Sequence, residues 1–342
     1  MRVCADREPA AREGRFPVRL TSSVSVLDAI GNTPLVRLTR LFADSPAEVY
    51  AKLEFANPSG SIKDRIAKFM IEEAEKDGRI KPCDMIIENS SGNTAIALAM
   101  VAIQKGYRLK VVVRDRISRE KLDQLRALGV EVVTADSSLP PEHPDSYNRI
   151  TLRLARETPH CYFPDQHGNR ENNEAHYRST GPEIWEQMDG KIDVFVCGVG
   201  TGGTLGGVAR FLKEQDPQIR VVAVDGQGSA YTNYFTSGQP GTPGDSLVEG
   251  LGDEFILPTM DFALIDNMVQ VTDRDAFTWA RRLARFEGLL AGVSSGGTLW
   301  GVNEILRSLD HPARVVTIFP DGAARYLTKL FDDAWLISHD LL

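Results

Sequence analysis

Lys63 stands where a short loop, Ser59, Gly60 and Ser61, runs into an apolar-periodic segment, within the stretch NPSGSIKDR at residues 57–65. Ile66, Phe69, Met70 and Ala74 recur on roughly one face, so the spacing predicts a helix over residues 63–76 with Gly78 as its stop. Glycine and serine ahead of that helix let backbone approach a ligand closely. A lysine kept out of water there holds part of its amine neutral near pH 7, far below the value of about 10.4 for a free lysine. Neutral amines form Schiff bases with carbonyl compounds. The same residues also fit a solvated lysine that merely opens a helix.

Three further turns share this form. GVGTGGTLGG, residues 198–207, follows an apolar strand and opens a helix, which suits a phosphate: glycines permit close approach and the free N–H groups of a helix start point at the anion. Gly198, Gly200 and Gly203 also satisfy G-x-G-x-x-G, and Asp225 follows about twenty residues on, as in a dinucleotide site. The motif alone does not choose between the two ligands. SSGNTA, residues 90–95, gathers hydroxyls, an amide and several N–H groups that suit a carboxylate; a helix cap by Ser91 or Asn93 is the other reading. In EGLLAGVSSGG, residues 287–297, Ser294 sits at another loop-to-helix turn, where it could equally be a capping residue.

Alternating strands and helices position these turns. Residues 49–54 read as extended, 63–76 as helix, 85–88 as extended, 94–105 as helix closed by Gly106, and 109–113 as extended. Ser118 can cap a helix carrying Leu122, Leu125 and Leu128 on one side, ended by Gly129 before a strand at 131–134. Such β-α-β units build a parallel sheet covered by helices on both faces. SSLPPEHP, residues 137–144, predicts a loop near a lobe boundary. A second series follows: strand 194–197, helix 205–214, strand 220–224, helices 274–286 and 295–306, and strand 315–318. The Gly- and Pro-rich residues 237–252 read as a mobile loop rather than a linker.

With 342 residues the chain has room for two lobes, and its 42% hydrophobic and 25% charged residues exclude a disordered or fibrous class. A net charge of -8 argues against non-specific binding to nucleic acid or an anionic membrane. Cys4, Cys83, Cys161 and Cys197 are scattered singly, which argues against a disulfide framework and a zinc site and makes the cytoplasm the expected location. Arg2, Arg7, Arg12, Arg15 and Arg19 give the start a transit-peptide flavour that Asp6, Glu8 and Glu13 spoil, so residues 1–20 are expected to be a disordered or partner-contacting tail.

Taken together, the lysine, the polar turn, the glycine cup and the later serine turn resemble the fold type II pyridoxal 5'-phosphate enzymes, in the cysteine synthase and cystathionine β-synthase family. The resemblance runs from IGNTPLVRL at 30–38 to PDGAARYLTKLFDDAWL at 320–336. SYNRITLRLA (146–155), DGKIDVFV (189–196), VEGLGDEFILPTMD (248–261) and TKLFDDAW lean toward the catalytic core of cystathionine β-synthase. It implies an α/β fold of two lobes, each with a central, mainly parallel sheet flanked by helices, and the cofactor in the cleft between them. Residues 21–50 and 158–342 would form the larger phosphate-binding domain, and 51–157 the smaller, mobile domain that binds the substrate carboxylate.

The implied roles follow residue by residue. Lys63 carries the cofactor as a Schiff base and later acts as base on the α-proton; Asn93 bonds the 3'-oxygen; Gly200, Thr201, Gly202, Gly203 and Thr204 hold the phosphate. Ser294 faces the ring nitrogen, and a neutral hydroxyl there makes the ring a weaker electron sink, which favours loss of a β-substituent. Ser90, Ser91, Gly92, Thr94 and Gln166 match positions that bind the amino-acid carboxylate. The implied reaction is β-replacement in a homodimer acting on small amino acids, favouring L-serine plus L-homocysteine to cystathionine. Cysteine synthesis from O-acetylserine or O-phosphoserine and sulfide, or a β-substituted alanine synthase using an amine, are the alternatives. An NAD-binding oxidoreductase is the reading of a different class.

Three positions depart from the family pattern. Asp253 stands where recognisable cystathionine β-synthases carry tyrosine, His167 replaces the usual aromatic after Gln166, and Val293 replaces a glycine beside Ser294. An acid at 253 suits a second substrate with an ammonium group; a loop carboxylate in water is the plainer reading. No haem is expected, because Cys4 is the only N-terminal thiol and no histidine precedes His143. The sequence stops at Leu342, so a C-terminal regulatory CBS-domain pair is not expected either.

Overall fold

Short apolar strands alternating with helices assemble two sheets in the computed structural model, which describes residues 25–342; the expected tail at 1–20, with Cys4, lies outside the described residues. Strands are numbered in chain order. The larger sheet contains β1 (Leu35–Arg37), β2 (Glu48–Leu53), β7 (Val194–Gly198), β8 (Arg220–Gly226), β9 (Asn267–Val271) and β10 (Arg314–Phe319). Its spatial order is β1-β2-β10-β7-β8-β9, parallel except for the β1–β2 pair. The smaller sheet is parallel throughout, in the order β5-β4-β3-β6, from β3 (Met85–Asn89), β4 (Arg108–Arg114), β5 (Glu131–Ala135) and β6 (Cys161–Tyr162). Strand β3 is buried at every residue, as expected where helices cover both faces of a parallel sheet.

Ten helices matter for the site: α1 (Lys63–Lys76), α2 (Asn93–Lys105), α3 (Arg119–Ala127), α4 (Tyr147–Glu157), α5 (Glu171–Arg178), α6 (Thr180–Gln187), α7 (Gly203–Gln215), α8 (Tyr231–Ser237), α9 (Asp273–Glu287) and α10 (Val293–Leu306). Local chemistry explains their ends. Ser118 caps α3 by accepting from the Lys121 N–H, and α2 closes on Gly106 at φ 77°, a left-handed conformation that favours glycine. Helix α7 packs closely on α5 because Gly207 has no side chain: a Cβ there would lie 2.2 Å from the Asn173 carbonyl oxygen and 2.7 Å from the Cβ of His176.

The expected lobe boundaries need correction. A cut between residues 50 and 51 falls inside β2, which pairs with β10 from Glu48↔Arg314 to Leu53↔Phe319. A cut at 157 omits β6, which pairs with β3 through Met85↔Cys161 and Ile86↔Tyr162, so the smaller sheet runs to Tyr162. The proline-rich stretch 137–144 joins β5 to α4, and α4 packs on β3 and β4 of the same sheet. It is therefore a turn within the smaller lobe and not a lobe boundary. Among the described residues, no helix is long and apolar enough to cross a membrane.

Candidate active site

A cavity of about 290 Å³ opens where the carboxyl ends of strands from both sheets face one another, close to the lower end of the roughly 300–1,000 Å³ usual for small-molecule sites. Lys63 enters its wall as the first residue of α1. The loop before it is tied down: the Ser59 N–H donates to Asp64 Oδ2 at 2.7 Å, the Ser59 hydroxyl also donates to Asp64, and the Ile62 N–H donates to the Pro320 carbonyl at 2.8 Å. Burial pushes the Lys63 amine below the usual lysine range, while the nearby Asp321 and Cys197 act the other way. Desolvation wins, so the amine is neutral more often than a surface lysine.

Asn93 opens α2 and is clamped from behind. Its Nδ2 donates to Asp321 Oδ2 at 2.7 Å, and its Oδ1 accepts from the Arg325 guanidinium, whose other arm donates to the Ser59 carbonyl. Asp321 Oδ2 also accepts from the Tyr326 hydroxyl at 2.6 Å. With its oxygen taken by Arg325, Asn93 has one amide N–H left to donate to a ligand oxygen. The Asp321 carboxyl is raised by burial, and its buried Oδ1 has no hydrogen-bond partner among the described residues.

At the start of α7 the glycine-rich turn curls against the cavity. Gly202 takes φ 82°, the Tyr231 hydroxyl donates to the Gly200 carbonyl at 2.8 Å, and Thr259 donates to the Thr201 carbonyl. Gly200, Thr201, Gly202 and Thr204 line the cavity; Gly203 instead faces Asn172, whose Oδ1 would lie 1.9 Å from a Cβ there. Asn172 Nδ2 ties the cup to the neighbouring segment by donating to the Gln166 carbonyl at 2.8 Å and to Thr201 Oγ1 at 3.1 Å. Ser294, second residue of α10 and 5% exposed, also reaches the wall. Val293 beside it is packed in the large apolar core.

The expected carboxylate group divides. Gly92, Thr94 and Gln166 line the cavity, with the Thr94 hydroxyl donating to Gln166 Oε1 at 2.5 Å. Ser90 and Ser91 do not: Ser90 Oγ accepts from the Gly92 and Ala95 N–H groups at 3.3 Å, and Ser91 Oγ accepts from the Arg114 N–H at 2.6 Å. These hydroxyls satisfy backbone, but not as the expected cap by Ser91 or Asn93: the residue before α2 is Gly92, and Ser91 serves strand β4 instead. His167 and Asp253 both stand in the cavity wall. Burial pushes His167 down to about 4 and Asp253 up to about 6, with Arg114 drawing Asp253 back toward ionisation. The stretch 237–252 ends in that wall too, where Glu249 pairs with Lys121 of α3.

Asp225 removes the dinucleotide reading. It is fully buried, and its Oδ2 accepts from the Thr232 N–H at 2.9 Å and the Thr232 hydroxyl at 2.7 Å, so it cannot reach a ribose. Asp321, Arg325, Tyr326, Asn172 and Tyr231 were not singled out in sequence. The available signal was the charged and aromatic PDGAARY directly after an apolar strand, where ordinary solvated residues have no need to cluster.

The model of the family described as pyridoxal-phosphate dependent enzyme matches residues 26–321. The chain is 40% identical over 315 residues to the cystathionine beta-synthase of Dictyostelium discoideum, covering 92% of this chain but 63% of that protein, so it spans less than two thirds of this curated relative. An O-acetylserine dependent cystathionine beta-synthase from Helicobacter pylori superposes with a TM-score of 0.83 at 38% identity, covering 91% of this chain and 99% of that one. A hydrogen sulfide-producing enzyme from Fusobacterium nucleatum gives a TM-score of 0.83 at 36% identity, over 90% and 99% of the two chains. Because these matches span the turns that wall the cavity, the chain belongs to the fold type II pyridoxal-phosphate enzymes, in the family of cysteine synthases and cystathionine β-synthases.

Proposed function

We propose that the protein replaces the β-substituent of serine, or of an O-activated serine, with the sulfur of homocysteine to form cystathionine. The convergence of Lys63 and Ser294 on one cavity carries this reading. The wall suits pyridoxal phosphate: N–H groups at the start of α7 for the phosphate, a lysine with a lowered pKa for the carbonyl carbon, and the uncharged hydroxyl of Ser294 for the ring nitrogen. Bound there, the cofactor supplies an electron sink for the bonds at the substrate's α-carbon, a weak one because Ser294 brings no charge to keep the ring nitrogen protonated.

The chain's own groups do the rest. Gln166, its amide oxygen fixed by the Thr94 hydroxyl, holds the substrate carboxylate through Nε2 together with the N–H groups that open α2. The remaining Asn93 N–H orients the cofactor ring. Lys63, once free, takes the proton from the α-carbon and returns it at the end. Asp253 decides between acceptors: above about pH 6 it is mostly ionised, attracting the ammonium of homocysteine and repelling hydrosulfide anion. Purified protein given serine, O-acetylserine or O-phosphoserine, each with homocysteine or with sulfide, is expected to form cystathionine in the homocysteine arms and to turn over more slowly in the sulfide arms. Cysteine from sulfide with no cystathionine would overturn the acceptor assignment. Asp253→Asn is expected to raise the KM for homocysteine about tenfold, equivalent to roughly 1.4 kcal/mol, with the KM for the serine donor unchanged.

A further inference from the structure

His176 is wholly buried at the end of α5, behind the cup, and no part of the function above uses it. Both ring nitrogens meet hydroxyls: Nδ1 lies 2.9 Å from Thr180 Oγ1, and Nε2 lies 3.1 Å from Thr204 Oγ1. Thr204 lines the cavity; Thr180 is fully buried at the start of α6. Close packing of α7 on α5 at Gly207 is what brings the ring within reach of Thr204.

The direction of these bonds is decided at the closed end. Among the described residues, Thr180 Oγ1 has one hydrogen-bond partner, Nδ1 of His176. If Nδ1 carried a proton, Thr180 would accept it, and the hydroxyl's own proton would be buried without an acceptor, a penalised state. If Thr180 donates instead, every polar group is satisfied: Nδ1 accepts, Nε2 carries the proton and donates to Thr204 Oγ1, and the Thr204 proton must point onward into the cavity. A charged ring would disrupt this order, and burial, reinforced by the Arg65 guanidinium, keeps the ring neutral.

We infer that His176 is a positioning residue for the phosphate cup, relaying orientation from Thr180 so that the Thr204 hydroxyl donates to a phosphate oxygen. In the opposite tautomer Thr204 would give its proton to the ring and turn lone pairs toward the anion. The inference rests on the cup binding the cofactor's phosphate, so its test separates the two.

Nitrogen NMR of the imidazole in the wild-type holoenzyme is expected to show the Nε2–H tautomer; the Nδ1–H tautomer would overturn the proposal whatever the variants do. Thr180→Val keeps the side-chain shape and removes the donor. After resolution and reconstitution it is expected to bind pyridoxal phosphate about tenfold more weakly and pyridoxal, which lacks the phosphate, as the wild type does. Unchanged pyridoxal phosphate affinity in folded Thr180→Val would also overturn it. Thr204→Val separates the readings: weakening there but not in Thr180→Val removes only the relay, whereas no weakening in Thr204→Val removes the cup assignment itself. Should Thr180→Val fail to fold, the wild-type tautomer still decides.

Discussion

Lys63 and Asn93 are set by the same buried cluster, since Arg325 reaches the loop that precedes the one and the amide of the other. Lys63→Ala is expected to lose both turnover and the borohydride-fixed cofactor adduct, with the circular dichroism of the fold retained; survival of the adduct would exclude Lys63 as its site. Arg325→Leu leaves the Asn93 amide held on one side only, by Asp321. A hydrogen bond to a charged group contributes about 1.5–3 kcal/mol, so turnover is expected to fall at least about tenfold. The coupling is checked with the double variant: Asn93→Ala should cost less in the Arg325→Leu background than alone, and the loss that remains in Arg325→Leu is what Arg325 holds through the Ser59 carbonyl.

The helix starts were the most legible elements, and α1 begins and ends where its apolar period and glycine stop predict. Helices α5 and α6 were not, because ENNEAHYRSTGPEIWEQ carries few apolar residues and is held by polar contacts that periodicity does not register. The glycines of the cup were legible as a group but not one by one. Gly200 and Gly202 serve the cavity, while Gly207 serves the α5–α7 contact, a division that depends on which helix lies alongside. Ser90 and Ser91 show the same limit: their hydroxyls satisfy nearby N–H groups, one of them on a strand distant in sequence. Gly207→Ala forces a methyl group against the Asn173 carbonyl and is expected to cost about 1–3 kcal/mol. Each kcal/mol corresponds to about 2–4 °C in a chain of this order of size, so calorimetry should record a Tm several degrees lower.

Stability of the whole molecule should depend on pH through Glu88, buried in β3, one of the two inner strands of the smaller sheet. Burial pushes its carboxyl up from 4.5 to about 8, although it accepts from the Asn89 N–H at 3.0 Å. A folded value above the unfolded one means that its stabilising contribution is complete below about pH 4.5 and is lost as pH rises toward 8. The slope reaches at most about 1.4 kcal/mol per pH unit. Glu88→Gln removes that dependence, so the variant's Tm should gain on the wild type between pH 5 and pH 8; a constant difference would show that Glu88 does not titrate in this range. The placement of β10 has another consequence, one of timing. The last strand in the chain lies between β2 and β7, and its pairing partner β2 is separated from it by most of the sequence. During synthesis the early edge of the larger sheet therefore waits unpaired until residues 314–319 emerge, while the smaller sheet, whose strands all lie within residues 85–162, can already close. Folding should accordingly proceed in two steps, with a slow final one that inserts β10, and chains released before that point are the ones that chaperones would have to shield.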